Sequence, residues 1–267
     1  MASGAADGDD RSVSIGRIFS RAFGTIGSNP VATLGIAFLF GALPSLLLTY
    51  AVQSRGTQAF AALGTAAMIG ISVFSALFAI VLAMITQGAL VRATVAYSEG
   101  RRASLGESAM AGLSVALPLF LLGLGSAIGI ALGFLLLIVP GVILYVMWSV
   151  AAPALVEERL GPIEAFGRSN YLTGGARWKI FGLMLVVLVF YWIFSSLVAM
   201  LGIMWYGGVV EFAQSAAGGV PIGYLAISGV AGTITSAVWG VIQTSLYVEL
   251  RQWKDGPRTE ALAEIFG

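Results

Sequence analysis

The chain has 267 residues, of which 58 % are hydrophobic and only 10 % charged. Soluble domains carry roughly 25 % charged residues, so lipid rather than water solvates most of this surface. With neither Cys nor His in the sequence, disulfides, thiol chemistry, the commonest general base and the commonest metal ligand are excluded. Carboxylate sites for Mg²⁺ or Ca²⁺ remain open, but the chain reads as non-enzymatic, with no cofactor and no metal centre.

Residues 1–14 are small, polar and acidic, with Asp7, Asp9 and Asp10, and are expected to form a disordered tail. They lack the short apolar core after a basic start that marks a cleaved secretory signal. From Ser14 a helix is predicted in which Ile15, Ile18, Phe19, Ala22, Phe23 and Ile26 share one face while Arg17 and Arg21 sit elsewhere. That pattern suits a helix lying in a membrane interface.

Crossing about 30 Å of hydrocarbon takes about 20 apolar residues in a helix. By that measure six spans are predicted: Val31 to Val52, Thr65 to Leu90, Ser114 to Leu137, Val142 to Val156, Ile180 to Leu201, and Ile222 to Tyr247. The fourth is short. Beside it, Pro140-Gly141 reads as a hinge or turn, either between two full crossings or within a re-entrant hairpin.

The basic residues fall between these runs in four groups: Arg11, Arg17 and Arg21; Arg92, Arg101 and Arg102; Arg159, Arg168, Arg177 and Lys179; and Arg251, Lys254 and Arg258. With six spans all four lie on one side, and the positive-inside rule makes that side, with both termini, cytoplasmic. The opposite side keeps only Arg55 and Glu211 as charges, read as solvated loop residues or a pair across a lid, with Trp205 and Tyr206 suited to the interfacial aromatic belt.

Three segments superpose without gaps, Gln87 to Gly100, Trp148 to Gly161 and Gln243 to Gly256, each turning charged and stopping at a glycine. A helix start follows each: Ser104 and Glu107 have capping-box spacing, and Pro162 and Pro257 suit a first helical position. The architecture implied is all-α and polytopic, one transmembrane domain over 15–267. Its three hairpins, in units 15–100, 101–161 and 162–256, are each preceded by a short cytoplasmic interfacial helix, and a partial helix follows at the C-terminus.

From Pro140 onward the sequence carries Pro140-Gly141, Trp148-Ser149, Glu157 or Glu158, Gly161-Pro162, Glu164-Ala165, Arg168-Ser169, Leu172-Thr173 and Arg177-Trp178-Lys179. These resemble a bacterial family: the membrane domain attached to some glycerophosphodiester phosphodiesterases, found also as stand-alone inner-membrane proteins. The lead-in SIGRIFSRAFGTIGSNP resembles it too. The resemblance implies a multi-pass inner-membrane protein close to lipid metabolism. It implies no catalysis, because the phosphodiesterase barrel of such fusions has no counterpart here.

Four groups of residues stand out as candidate sites. Arg168, Ser169, Arg177 and Lys179 place cations and a hydroxyl beside a helix start, where a phosphate or lipid headgroup can be held; structural pairing of the arginines with Glu157, Glu158 and Glu164 is the alternative. Gln87 and Gln243 put amides near the cytoplasmic ends of two spans, where each needs a partner, either the other or a polar entrance. Gly125, Gly129 and Gly133 make a smooth helix face for packing within the chain or for an oligomer seam. Pro140 and Gly141 are the hinge. No ionised residue lies in mid-span, which argues against proton-coupled transport. The expectation is a protein that binds, organises or moves membrane lipids. The alternatives are a transporter or channel for a small neutral or amphipathic solute, and a scaffold subunit. The expected partners are lipids, with a second copy or a membrane-complex subunit, and no nucleic acid.

Overall fold

The computed structural model describes residues 13–54, 64–217 and 222–256, and among them every regular element is a helix. Six helical stretches are long and apolar enough to cross a membrane: Pro30–Tyr50, Gly64–Ser98, Ala116–Leu136, Ile138–Glu158, Arg177–Trp205 and Ile222–Asp255. The chain is an all-α, multi-pass membrane protein. Each stretch overlaps one predicted span. Arg11, Arg55, Pro257 and Arg258 lie outside the described residues.

Helix α1 (Ile15–Ser28) starts at Ser14, whose hydroxyl accepts from Arg17 N at 3.4 Å. The folded domain begins slightly earlier than the sequence suggests, because Val13 is buried in the core and its carbonyl accepts from Lys179 Nζ at 3.3 Å. The apolar stripe of α1 is divided in two. Ile18 and Ala22 are buried against the last described helix (Ile222–Asp255), whereas Phe23 stays 56 % exposed.

Asn29 ends α1 and caps α2 (Pro30–Ile36), its side chain accepting from Ala32 N while Pro30 takes the first helical position. The span then widens into a π-helical turn over Ala37–Ala42, where Leu43 N–H reaches back five residues to Phe38 O, and continues as α3 (Leu43–Ser54). Pro44 supplies the cause. It has no N–H and its ring crowds the preceding turn, so the regular ladder cannot run through it.

Helix α4 (Gly64–Ser98) crosses α5 (Leu105–Ser114), which begins on the predicted cap, Ser104 Oγ accepting from Glu107 N at 3.1 Å. The crossing point is Gly88 against Gly112, where a Cβ on Gly112 would stand 2.3 Å from the Ile85 carbonyl oxygen. Backbone cannot yield as a side chain can. Gly112→Ala is therefore expected to cost about 2 kcal/mol, read as a lowered melting temperature in detergent; an unchanged melt would mean that the helices separate freely.

Helices α6 (Ala116–Leu136) and α7 (Ile138–Met147) fold back on one another through Leu137 alone, which is extended at φ −165° and ψ 155°. The turn therefore precedes Pro140-Gly141 rather than falling on it. Pro140 is the third residue of α7, where first-turn N–H groups have no helical partner to lose. Gly141 serves the packing instead, since a Cβ on Gly133 would lie 2.9 Å from Gly141 Cα. Further along the same face, a Cβ on Gly129 would lie 2.5 Å from the Trp148 ring and one on Gly125 3.3 Å from Phe166. The glycine face is filled within the chain.

The remaining helices are α8 (Ala151–Glu158), α9 (Pro162–Thr173), α10 (Arg177–Trp205), α11 (Val209–Ala217) and α12 (Ile222–Asp255). Arg159 closes α8 in the left-handed region at φ 53°, and α9 opens with Pro162 and with Gly161 N–H donating to Glu164 at 3.0 Å. Packing is uneven along the bundle. Leu90, Val91, Leu172, Ile180, Val241, Tyr247 and Leu250 are fully buried at the charged end, whereas Phe74, Trp192 and Ile222 at the other are exposed.

Candidate functional site

The charged end is built from ion pairs that cross the whole sequence. Glu249 of α12, only 3 % exposed, accepts from Ser14 N at 3.1 Å and from Arg17 Nε at 2.8 Å, and pairs with Arg21 at 3.5 Å. Burial pulls the Arg21 guanidinium below its ordinary range, and Glu249 opposes that shift. Arg21 also donates to Ser245 O and Gln252 Oε1. These bonds hold α1 against α12.

A second cluster centres on Arg168. Its Nε donates to both Glu158 oxygens at 2.9 and 2.8 Å, and its outer nitrogens reach the Asp255 carboxylate. Tyr247 Oη donates to Glu158 Oε1 at 2.8 Å. Hydrogen bonding to Asp255, reinforced by Glu158, holds the guanidinium above its usual range, so it is charged at every physiological pH. Arg251 faces Glu157 at 3.8 Å.

Below this layer the fourth span is broken. The helix stops at Met147 and restarts at Ala151, leaving Trp148-Ser149-Val150 as an irregular turn. Exposed backbone polar groups at such a depth are tolerated only where protein or a cavity satisfies them. Here side chains do so. Ser169 Oγ donates to Met147 O at 2.8 Å and accepts from Val150 N at 3.3 Å, and Gln243 Nε2 donates to Ser149 O at 2.7 Å. Gln87 Nε2 in turn donates to Gln243 Oε1.

Directly against this turn lies a cavity of about 550 Å³, with walls contributed by all six spans. On α4 it reaches from Ser75 to Gln87, roughly 18 Å of helix at 1.5 Å per residue. Its polar lining is neutral throughout. Ser45, Ser75, Ser126, Ser149, Ser236, Thr86 and Tyr145 give hydroxyls, Gln87 and Gln243 amides, and Trp148 and Trp239 indoles, with no Asp, Glu, Lys or Arg among the described lining residues. Ser149 Oγ is buried without a hydrogen-bond partner.

A second space of about 550 Å³ runs between α6, α7, α10 and α12, and its walls are almost wholly apolar: Phe134, Val142, Phe181, Leu185, Leu188, Phe190 and their neighbours. The two spaces share Tyr145, Met184 and Trp239 as a common wall. A compartment with hydroxyls and amides scattered over a mostly apolar lining thus meets a more uniformly apolar one, each of ligand size, at one threshold inside the membrane-spanning bundle.

The structure brings some of the predicted residues together and separates others. Gln87 and Gln243 bond one another and also line the cavity. Arg168 and Ser169 are committed to carboxylates and to the broken span. Arg177 and Lys179 lie exposed beside Trp178, with Arg177 donating to Asn170 Oδ1 at 2.6 Å. Sequence reasoning missed Glu249 and the cavity hydroxyls. A carboxylate within the otherwise uncharged stretch Gln243 to Leu250 was the available signal for Glu249. No protein-family model matches the chain, and neither a curated protein nor a solved structure matches it.

Proposed function

We propose that the protein is a non-enzymatic lipid-handling protein of the bacterial inner membrane, which admits an amphipathic lipid from the bilayer into the bundle and holds or moves it. The observation that carries this reading is the junction, at Tyr145, Met184 and Trp239, of a cavity bearing scattered hydroxyls and amides with a groove that is almost wholly apolar. A soluble ligand has no use for the apolar groove, and an ordinary annular lipid has no use for the hydroxyls and amides. The likeness of the central stretch to the membrane domain of glycerophosphodiester phosphodiesterases supports the same reading. In this scheme both termini are cytoplasmic, the spans pair as three hairpins, and α1, α5 and α9 lie at the cytoplasmic interface. Arg177, Lys179 and Trp178 then meet anionic headgroups from outside the bundle.

The test is native mass spectrometry of gently purified protein, with bound lipids extracted and compared with the whole membrane. A stoichiometric lipid enriched over the bulk is expected. Lipids matching the bulk in kind and proportion would overturn the reading. The neutral lining also favours a second one, passage of a small uncharged solute, which predicts solute flux in protein-containing liposomes.

A further inference from the structure

We propose that the ligand's headgroup is uncharged and rich in hydroxyls, and that it sits among Ser126, Ser236 and Tyr145 with its tails in the apolar groove. This rests on the lipid-handling reading above and names the class of lipid.

Charge supplies the first argument. A phosphate inside the cavity would be removed from water with no cation among the described lining residues, and an unpaired buried charge is costly. The nearby guanidinium of Arg168 cannot serve, because two carboxylates already hold it.

Hydrogen-bond polarity supplies the second. Gln243 must turn its nitrogen to the Ser149 carbonyl, which accepts only. Its oxygen therefore receives the Gln87 nitrogen. The relay leaves Gln87 Oε1 as an acceptor that no described residue bonds. A ligand group meeting that oxygen must donate. A hydroxyl does so, and an ionised phosphodiester does not.

The wall supplies the third. The hydroxyls of Ser126, Ser236 and Tyr145 have no hydrogen-bond partner among the described residues. Hydroxyls both donate and accept, so such a wall matches a polyol or sugar, whose own hydroxyls do the same. The apolar groove opens from the same threshold at Tyr145 and Trp239, where the tails leave the head.

The experiment uses the full chain in mild detergent and three probes with identical dioleoyl tails: dioleoylglycerol, monoglucosyl-dioleoylglycerol and dioleoylphosphatidylglycerol. Affinity is measured by native mass spectrometry for the wild type and for the triple variant S126A/S236A/Y145F. That variant removes hydroxyls with no hydrogen-bond partner among the described residues and should fold normally. The glucosyl probe is expected to bind about tenfold tighter than the anionic one and tighter than dioleoylglycerol; dioleoylglycerol binding as tightly would overturn the hydroxyl-rich head. The triple variant should lose about tenfold for the glucosyl probe, a few modest hydrogen bonds' worth, and nothing for the anionic one. Equal or tighter binding of phosphatidylglycerol, or an unaffected triple variant, would overturn the headgroup assignment while leaving lipid handling standing. If none of the probes binds and the purified protein carries only bulk lipid, both fail.

Discussion

Replacing Glu249 with Ala is expected to lower the unfolding free energy of the detergent-solubilised protein by about 3–5 kcal/mol, the range for breaking a buried ion pair from one side. The carboxylate is 3 % exposed and collects a backbone N–H from Ser14, both guanidinium contacts of Arg17 and one from Arg21. Its loss leaves the 16 %-exposed Arg21 side chain, among the described residues, with Ser245 O and Gln252 Oε1 alone. It also orphans the N–H at the start of α1. Glu249→Gln keeps the shape and loses the charge, so it should fall between. The exposed pair of Arg101 with Glu99 is the control, and Arg101→Ala should leave the melt nearly unchanged. If Glu249→Ala shifted stability by less than about 1 kcal/mol, the value for a solvated pair, α1 would be held by its apolar contacts alone.

Arg168→Ala should cost less, about 1–2 kcal/mol, because its side chain and those of Glu158 and Asp255 are 22 %, 23 % and 33 % exposed and solvent screens the two carboxylates left facing each other. Lys is not expected to rescue it. One ammonium cannot reproduce the planar fork that meets two carboxylates at once, so Arg168→Lys should recover less than half. The headgroup role read from the sequence makes the opposite forecast, that Arg168→Ala weakens phosphatidylglycerol binding and leaves stability alone. Thermal melts and lipid titrations on one preparation separate the two. Lost lipid affinity with an unchanged melt would overturn the structural assignment.

What was legible in the sequence is what local physics decides. Six apolar runs of membrane length announce six helices, and the starts at Ser14, Ser104 and Pro162 follow from residues within one turn of each cap. The Gln87–Gln243 bond was legible because an amide near lipid must find a partner and the two stand at matching positions. The break in the fourth span was only half legible. Pro140 drew attention to itself, whereas the relevant proline is Pro153, which has no N–H for the Ser149 carbonyl four residues back. What the sequence hides is that Ser169 and Gln243, far away in the chain, satisfy the backbone groups of that turn. Glu249 escaped for the same reason: its partners Arg17 and Arg21 lie more than 200 residues away. The cavity is harder still, since scattered serines in apolar helices carry no spacing that marks them as one wall.

The neutrality of that wall has an electrical consequence. A rearrangement that turned the cavity from one face of the membrane to the other would carry no ionised protein group of the described lining through the field. Moving one elementary charge costs about 2.3 kcal/mol per 100 mV, and here that coupling is zero for an uncharged ligand. Such a protein would work at the same equilibrium in an energised cell as in a depolarised one, taking its direction from the concentration of its lipid in the two leaflets alone.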